Sequence, residues 1–336
     1  MGNTLGRLSV LIIAIAALGT LLIGASAASA QTPTPDPPAV PDTDPGPQPS
    51  KLNLRLGGLR GGKLRVGERF KVSGTLRPWA AGEKVTLILS RGKKTLKRKT
   101  VFVKQKKGAD YGRFDFDEKL VKPGRYSVQA IKNPSANLGG SKDRTRTFRM
   151  DYPDLDPGNR SDTVALFNRL LEAQGYVNDE NKSYDAATGR AVLAFHKVNG
   201  QKRSENATPG DFKKLADGRG GYNLKYPGAG KHVETDLSRQ VMVLAKGGKV
   251  DEIYHISSGA PATPTITGRF EFYRKEPGTN NVGMVNSVYF QGGYAIHGYP
   301  SVPTYPASHG CLRNPIPDSK HIYNWVDIGD PIYVYK

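Results

Sequence analysis

The spacing of apolar residues changes twice along this chain, and that constrains its fold more than any other feature. In "RFKVSGTL" (69–76), "KVTLILS" (84–90), "KTVFVK" (99–104), "GRFDFDEKL" (112–120) and "GRYSVQAIK" (124–132) apolar side chains recur at every second position. Successive side chains of a strand point to opposite faces, so this alternation predicts half-buried strands. "RPWAAGE" and "KPG" supply turns between them. Over residues 158–217 the period becomes helical. "SDTVALFNRLLEAQGY" opens with an N-cap candidate in Ser161 or Asp162, places Val164, Phe167, Leu170 and Leu171 on one face, and closes at Gly175. "DAATGRAVLAFHKVNG" repeats the pattern up to Gly200, and "TPGDFKKLAD" starts a third short helix. From about Lys231 alternation returns in "KHVETDL", "RQVMVLAKGGKVDEIYHISSG", "GRFEFYRKE" and "SVYFQGGYAIHG", with "KGGK" as a hairpin turn. "DSKHIYNWV" reads as a helix and "DPIYVYK" as a closing strand.

A chain of 336 residues exceeds what one core usually serves, and these segments divide it into units. The expected fold class is multidomain and mainly β. It comprises an immunoglobulin-like β-sandwich over 51–152, a small three-helix unit over 158–217, and a β-rich C-terminal unit over 228–336. The N-terminus reads as an export signal: after Arg7 come the uncharged run "LSVLIIAIAALGTLLIG" and the small residues "ASAASA". Cleavage after Ala30 is expected, giving a signal peptide over 1–30, with an uncleaved membrane anchor as the alternative. Membrane contact is expected only in that second case. No cysteine lies near the cleavage site, which excludes a lipid-modified N-terminus. Residues 31–50, rich in Pro and Asp, read as an extended linker.

The formal charge of +19 is concentrated: residues 51–150 hold 27 Lys and Arg against 7 Asp and Glu, leaving the remainder near neutral. The run "RGKKTLKRKT" (91–100) is either the solvated face of a hairpin or a contact for an anionic polymer or membrane surface. Nucleic acid is not an expected partner, because the chain is exported and carries no nucleic-acid motif.

An exported chain with one cysteine cannot form an internal disulfide, so Cys311 needs another reason to exist. His309 lies two residues before it and His297 fourteen, within "IHGYPSVPTYPASHGCLRN". Three readings follow. Cys311 is a nucleophile activated by a histidine, with Gly310 opening the backbone to substrate. Alternatively His297, His309 and Cys311 hold zinc, although no paired-cysteine or H-E-x-x-H spacing accompanies them. In the third reading Cys311 is a buried small hydrophobe.

Two resemblances bear on the choice. Gly175-Tyr176 followed by Thr188 to His196 ("TGRAVLAFH") is similar to the pattern of the peptidoglycan-binding-like domain. "NKSYDAA" replaces the usual acidic-Gly-aromatic-Gly turn, and His196 stands where the pattern has Gln. His196 is therefore expected to cap or pack a helix rather than bind metal. Residues 228–336 resemble the L,D-transpeptidase catalytic domain of the YkuD type. The resemblance rests on His297-Gly298, then Ser308-His309-Gly310-Cys311-Leu312-Arg313, together with "VETDLSRQVMVLAKGGKV", "TPTITGRFEF" and "YFQGGYAIHG".

The resemblance implies a peptidoglycan L,D-transpeptidase working in the cell wall. It would transfer an acyl group from a tetrapeptide stem to an amine of a neighbouring stem, or to water as an L,D-carboxypeptidase. Cys311 would be the nucleophile and His297 the proton acceptor and donor. The Gly298 carbonyl would orient His297, His309 would order the site, and Gly310 would contribute to the oxyanion hole. Tyr299, Ser308, Arg313 and Asn314 would contact the substrate; the plain alternative for Arg313 is a pair with Asp318. Peptidoglycan stem peptides would be the partners, carbapenems would acylate Cys311, and no metal or organic cofactor is implied. A non-catalytic wall-binding scaffold is the competing function.

Overall fold

The structure is a computed structural model and describes residues 46–336. The export segment 1–30 and residues 31–45 of the linker lie outside the described residues. Among those described, no helix is long and apolar enough to cross a membrane.

Ten strands come first: β1 (Lys51–Gly57), β2 (Lys63–Arg65), β3 (Arg69–Arg77), β4 (Lys84–Arg91), β5 (Lys94–Phe102), β6 (Lys104–Gln105), β7 (Gly112–Lys119), β8 (Gly124–Lys132), β9 (Ser141–Lys142) and β10 (Arg146–Asp151). They form two sheets, ordered β1-β3-β7-β6 and β2-β10-β8-β4-β5, with β9 paired to β8. Leu54, Phe70, Val72 and Phe116 from the first sheet share one core with Leu87, Tyr126, Val128 and Phe148 from the second. Each such buried side chain contributes roughly 1.5–3 kcal/mol of transfer free energy. The alternation read from the sequence is this inward and outward facing. The basic run falls largely on β5, which lies at a sheet edge and is exposed along nearly its whole length.

Three helices follow: α1 (Asp162–Glu172), α2 (Ala186–Val198) and α3 (Pro209–Ala216). The Ser161 hydroxyl accepts from the Val164 N–H and is the N-cap of α1. Asp185 caps α2, and Thr208 with Asp211 forms a reciprocal capping box on α3, where Pro209 opens the first turn. His196 is buried, with Nδ1 against Ser204 O at 2.8 Å and Nε2 against Asp211 Oδ2 at 3.1 Å, a packing role inside the helical unit.

The C-terminal unit contains β11 (His232–Asp236), β12 (Val241–Lys246), β13 (Lys249–His255), β14 (Gly268–Glu271), β15 (Arg274–Thr279), β16 (Val285–Gln291), β17 (Tyr294–Tyr299), β18 (Leu312–Pro315), α4 (Ile316–Trp325) and β19 (Pro331–Tyr335). One sheet runs β13-β12-β11-β19-β14 and the other β15-β16-β17-β18. Gly247 and Gly248, both at positive φ, make the β12–β13 turn. Met242, Leu244, Tyr254, Val288, Ile296 and Leu312 form a core between the two sheets. Val241, Val243 and Ile253, from the same β12–β13 hairpin, belong instead to the core that includes Phe167, Tyr176 and Phe195 of the helical unit. Both faces of β12 are therefore buried, which explains why "VMVLA" is apolar at every position.

Candidate active site

β17 and β18 pair in parallel, with Ile296 opposite Leu312, His297 opposite Arg313 and Gly298 opposite Asn314. Side chains alternate across a strand, so Ile296 and Leu312 turn into the core while His297 and Arg313 share the other face. Cys311 immediately precedes β18 and falls on the His297 face, a diagonal neighbour of that histidine. The chain between β17 and β18 brings Cys311 beside the backbone that enters β17, and its Sγ donates to Gly293 O at 3.4 Å.

The electrostatics keep both groups neutral. Burial pushes the Cys311 thiol above its usual range, more than the Ala295 backbone N–H and the Arg313 charge pull it down. Burial lowers the His297 imidazole, with the Gly298 carbonyl opposing and Arg313 adding to the effect. His297 is 3% exposed, and its Nδ1 lies 3.0 Å from Gly298 O. A carbonyl only accepts, so Nδ1 carries the proton and Nε2 is the basic nitrogen. The Tyr299 ring meets His297 edge-on at 5.7 Å between centroids, and the Arg313 guanidinium lies 4.1 Å above Tyr299.

The strap carrying Cys311 is tied down by polar contacts. Ser308 Oγ donates to Cys311 O at 2.5 Å and accepts from Gly310 N at 3.1 Å. Thr263 Oγ1 donates to Ser308 O at 2.9 Å, and Thr265 Oγ1 to Gly310 O at 2.7 Å. Ser258 O accepts from both Ala307 N and Ser308 N. Gly310 sits at φ +119°, and a Cβ there would lie 2.7 Å from the Tyr294 ring, so this position needs glycine.

Cys311, His297, Gly298, Tyr299 and Arg313 are thus gathered on adjoining positions of one parallel strand pair. Ser308 is buried and serves the strap. Arg313 does not pair with Asp318. It donates to Ala307 O at 3.3 Å, because Asp318 is already held by Arg190 through 3.1 and 2.8 Å bonds. Asn314 is fully buried, its Nδ2 bonded to Pro315 O and its Oδ1 without a partner. His309 is exposed, and no hydrogen bond joins its ring to the described residues. Among the described residues no three His, Cys, Asp or Glu side chains gather as a metal site. Sequence reasoning missed the bracing residues Ser258, Thr263 and Thr265, and Ser257, whose Oγ donates to Tyr305 O at 2.7 Å. Their one signal was the polar, Gly- and Pro-containing "SSGAPATPT" next to an apolar strand.

The family model for the L,D-transpeptidase catalytic domain, YkuD, matches residues 230–334. A crystal structure of an L,D-transpeptidase from Xylanimonas cellulosilytica DSM 15894 is 30% identical, with a TM-score of 0.50, covering 55% of this chain and 98% of that one. This chain belongs to the L,D-transpeptidase family. The NMR structure of the catalytic domain of the Enterococcus faecium L,D-transpeptidase is also 30% identical, covering 32% of this chain and 98% of that one, with a TM-score of 0.28. A longer E. faecium L,D-transpeptidase is 28% identical at a TM-score of 0.29, and the match spans only 50% of its length. No curated protein matches the chain. Its function is therefore of the peptidoglycan L,D-transpeptidase type.

Proposed function

We propose that the protein forms peptidoglycan cross-links between the third residues of neighbouring stems by ping-pong acyl transfer. The carrying observation is that Cys311 immediately precedes β18, the parallel partner of the strand that carries His297, whose imidazole is fixed with Nε2 as its base; burial raises the thiol and lowers the imidazole. As Cys311 Sγ attacks the carbonyl between the stem's diamino acid and the terminal D-Ala, its proton passes to His297 Nε2. The tetrahedral oxyanion collapses, the C–N bond breaks, and D-Ala departs with the proton from His297, leaving a thioester. An amine of the neighbouring stem attacks that thioester and gives its proton to His297; the C–S bond breaks, the amide cross-link forms, and the departing thiolate takes the proton back from His297. Gly310 N–H is engaged with Ser308 Oγ, so the Cys311 N–H is assigned as the strap's oxyanion donor. Arg313, held over Tyr299, supplies positive charge for a substrate carboxylate, and no step requires a cofactor.

The basic sandwich is assigned to an anionic cell-wall polymer. Arg55, Lys71, Arg77 and Arg113 line a groove on the outer face of the β1-β3-β7 sheet with Asp115 as its lone carboxylate, and Arg77, Lys106 and Arg113 surround the Tyr111 ring at 4.7–5.7 Å. Sedimentation with purified walls is expected to weaken as salt rises. Salt-insensitive sedimentation would remove this role.

The acyl-transfer reading is tested by intact-mass spectrometry of the signal-free protein after incubation with meropenem, beside Cys311→Ala. A covalent adduct on the parent alone is expected. No adduct on a parent whose thiol is shown to be reduced would refute it.

A further inference from the structure

Lys197, on the last turn of α2, is 2% exposed and reaches out of the helical unit into the catalytic one. Its Nζ donates to Gln240 O at 3.1 Å and Ile256 O at 2.8 Å, and among the described residues no carboxylate accompanies it. Burying an ammonium against two carbonyls alone is unfavourable; desolvation lowers its pKa to about 7. A leucine or methionine there would be the cheaper solution for simple packing between a helix and a sheet.

The two carbonyls show what the charge does. Gln240 is a non-glycine residue at φ +59°, a conformation such residues seldom adopt. Its side chain is fixed by three bonds: Nε2 to Leu237 O at 2.6 Å, Nε2 to Ser258 Oγ at 2.7 Å, and Oε1 from Ser258 N at 2.8 Å. Ser258 O in turn receives Ala307 N and Ser308 N at 2.8 and 2.9 Å. Ser308 Oγ then holds Gly310 N and Cys311 O. An unbroken hydrogen-bonded path therefore runs from a helix outside the catalytic sheets to the backbone of the nucleophile.

We infer that Lys197 is a positioning residue for acyl transfer: the helical unit fixes the Cys311 strap through Lys197, Gln240 and Ser258, and so forms part of the active-site framework. The shared core of Val241, Val243 and Ile253 with Phe195 supports the same conclusion, because the platform carrying Gln240 packs on α2. A second contact reinforces it, since Arg203 donates to Thr304 O on the segment leading to the strap. The inference rests on the acyl-transfer reading above.

The test measures, for the signal-free protein and its variants, the binding constant and the limiting rate of meropenem acylation together with the thermal midpoint. Lys197→Met is expected to lower the limiting rate at least about tenfold while the preceding binding constant changes by less than about threefold, because the strap supplies the nucleophile and the oxyanion donor. Gln240→Ala should act in the same direction, and the double variant should be no slower than the worse single one, as for members of one path. Tyr176→Phe removes the 2.6 Å bond to Gly220 O, which is no part of the Lys197–Gln240–Ser258 path; it should lower the midpoint and leave the rate unchanged. Should Lys197→Met not fold, Gln240→Ala severs the path without disturbing a buried charge, because both links to Ser258 run through the Gln240 side chain, and an unchanged rate there overturns the inference. So does a folded Lys197→Met that acylates at the parental rate. A parent that forms no adduct defeats the acyl-transfer reading itself, a distinguishable result.

Discussion

Within residues 51–151 the only buried charged side chains are Glu83 and Lys132, which pair with each other at 3.0 Å. Between His232 and Tyr335 the interior takes in the titratable His232, Glu234, Asp236, His255, His297 and Asp318, besides Gln240, Ser257, Ser258, Thr265 and Ser308. Both regions are β-rich, so the contrast does not come from secondary structure. Burying a polar group is unfavourable unless it is hydrogen-bonded, and the sandwich, whose assigned role lies on its outer face, holds few. The catalytic unit accepts many, because a strap free of regular structure keeps one conformation only when side chains bond its backbone. The same burial shifts the thiol and the imidazole to their neutral states.

The contrast can be broken most sharply at the imidazole. His297→Gln should slow acylation by about 10²–10⁴-fold, the usual worth of a positioned proton acceptor, with little change in thermal midpoint. Stopped-flow acylation checks this, and a parental rate would place the base elsewhere. In the sandwich the expectation is reversed. Lys132→Met leaves Glu83 buried and unpaired and should cost about 3–5 kcal/mol in urea unfolding, while acylation of the folded protein is unchanged. Thr265→Val lies between these cases. It removes the donor to Gly310 O and the acceptor for Gly259 N, bonds of 2.7 and 2.8 Å. A loss of about 1–3 kcal/mol is expected, with slower acylation; stability lost at full rate would show that the strap tolerates movement.

The mildest effect concerns pH. Burial, with Lys197 and Arg190 nearby, lowers His255 to about 3. The unfolded chain then binds a proton below about pH 6.5 that the folded chain refuses. This contribution to stability is complete above that pH and falls by about 1.4 kcal/mol per unit as the pH drops toward the folded value. Urea unfolding at pH 7, 6 and 5, beside His255→Gln, should show the shallower pH dependence in the variant. Equal slopes would mean that His255 protonates within the fold.

Much of the architecture was legible because periodicity reports the backbone locally. The strands 69–76 and 84–90, the helix after Ser161 and the helix within "DAATGRAVLAFHKVNG" lie where alternation, the N-cap candidate and the helical period indicate. The cysteine and two histidines were legible as a constellation, since residue type and chain distance mark them. Lys197 was not, for a lysine on the last turn of a helix reads as solvated until the neighbouring sheet is in place. Nor was the fate of the charge run: Lys97 pairs with Glu118 and Lys99 lies over the Phe116 ring, while the concave basic surface is assembled from β1, β3 and β7.

By itself, then, the sequence determined the kinds of element and their order, and it singled out Cys311 with His297 and His309, because these follow from side-chain period and chemical type. Tertiary structure alone decided that β17 and β18 run parallel, that Arg313 goes to Ala307 while Asp318 goes to Arg190, and that Lys197 of α2 reaches the Gln240 and Ile256 carbonyls. Those choices depend on which buried polar groups find partners across long chain separations, and local spacing carries no record of them.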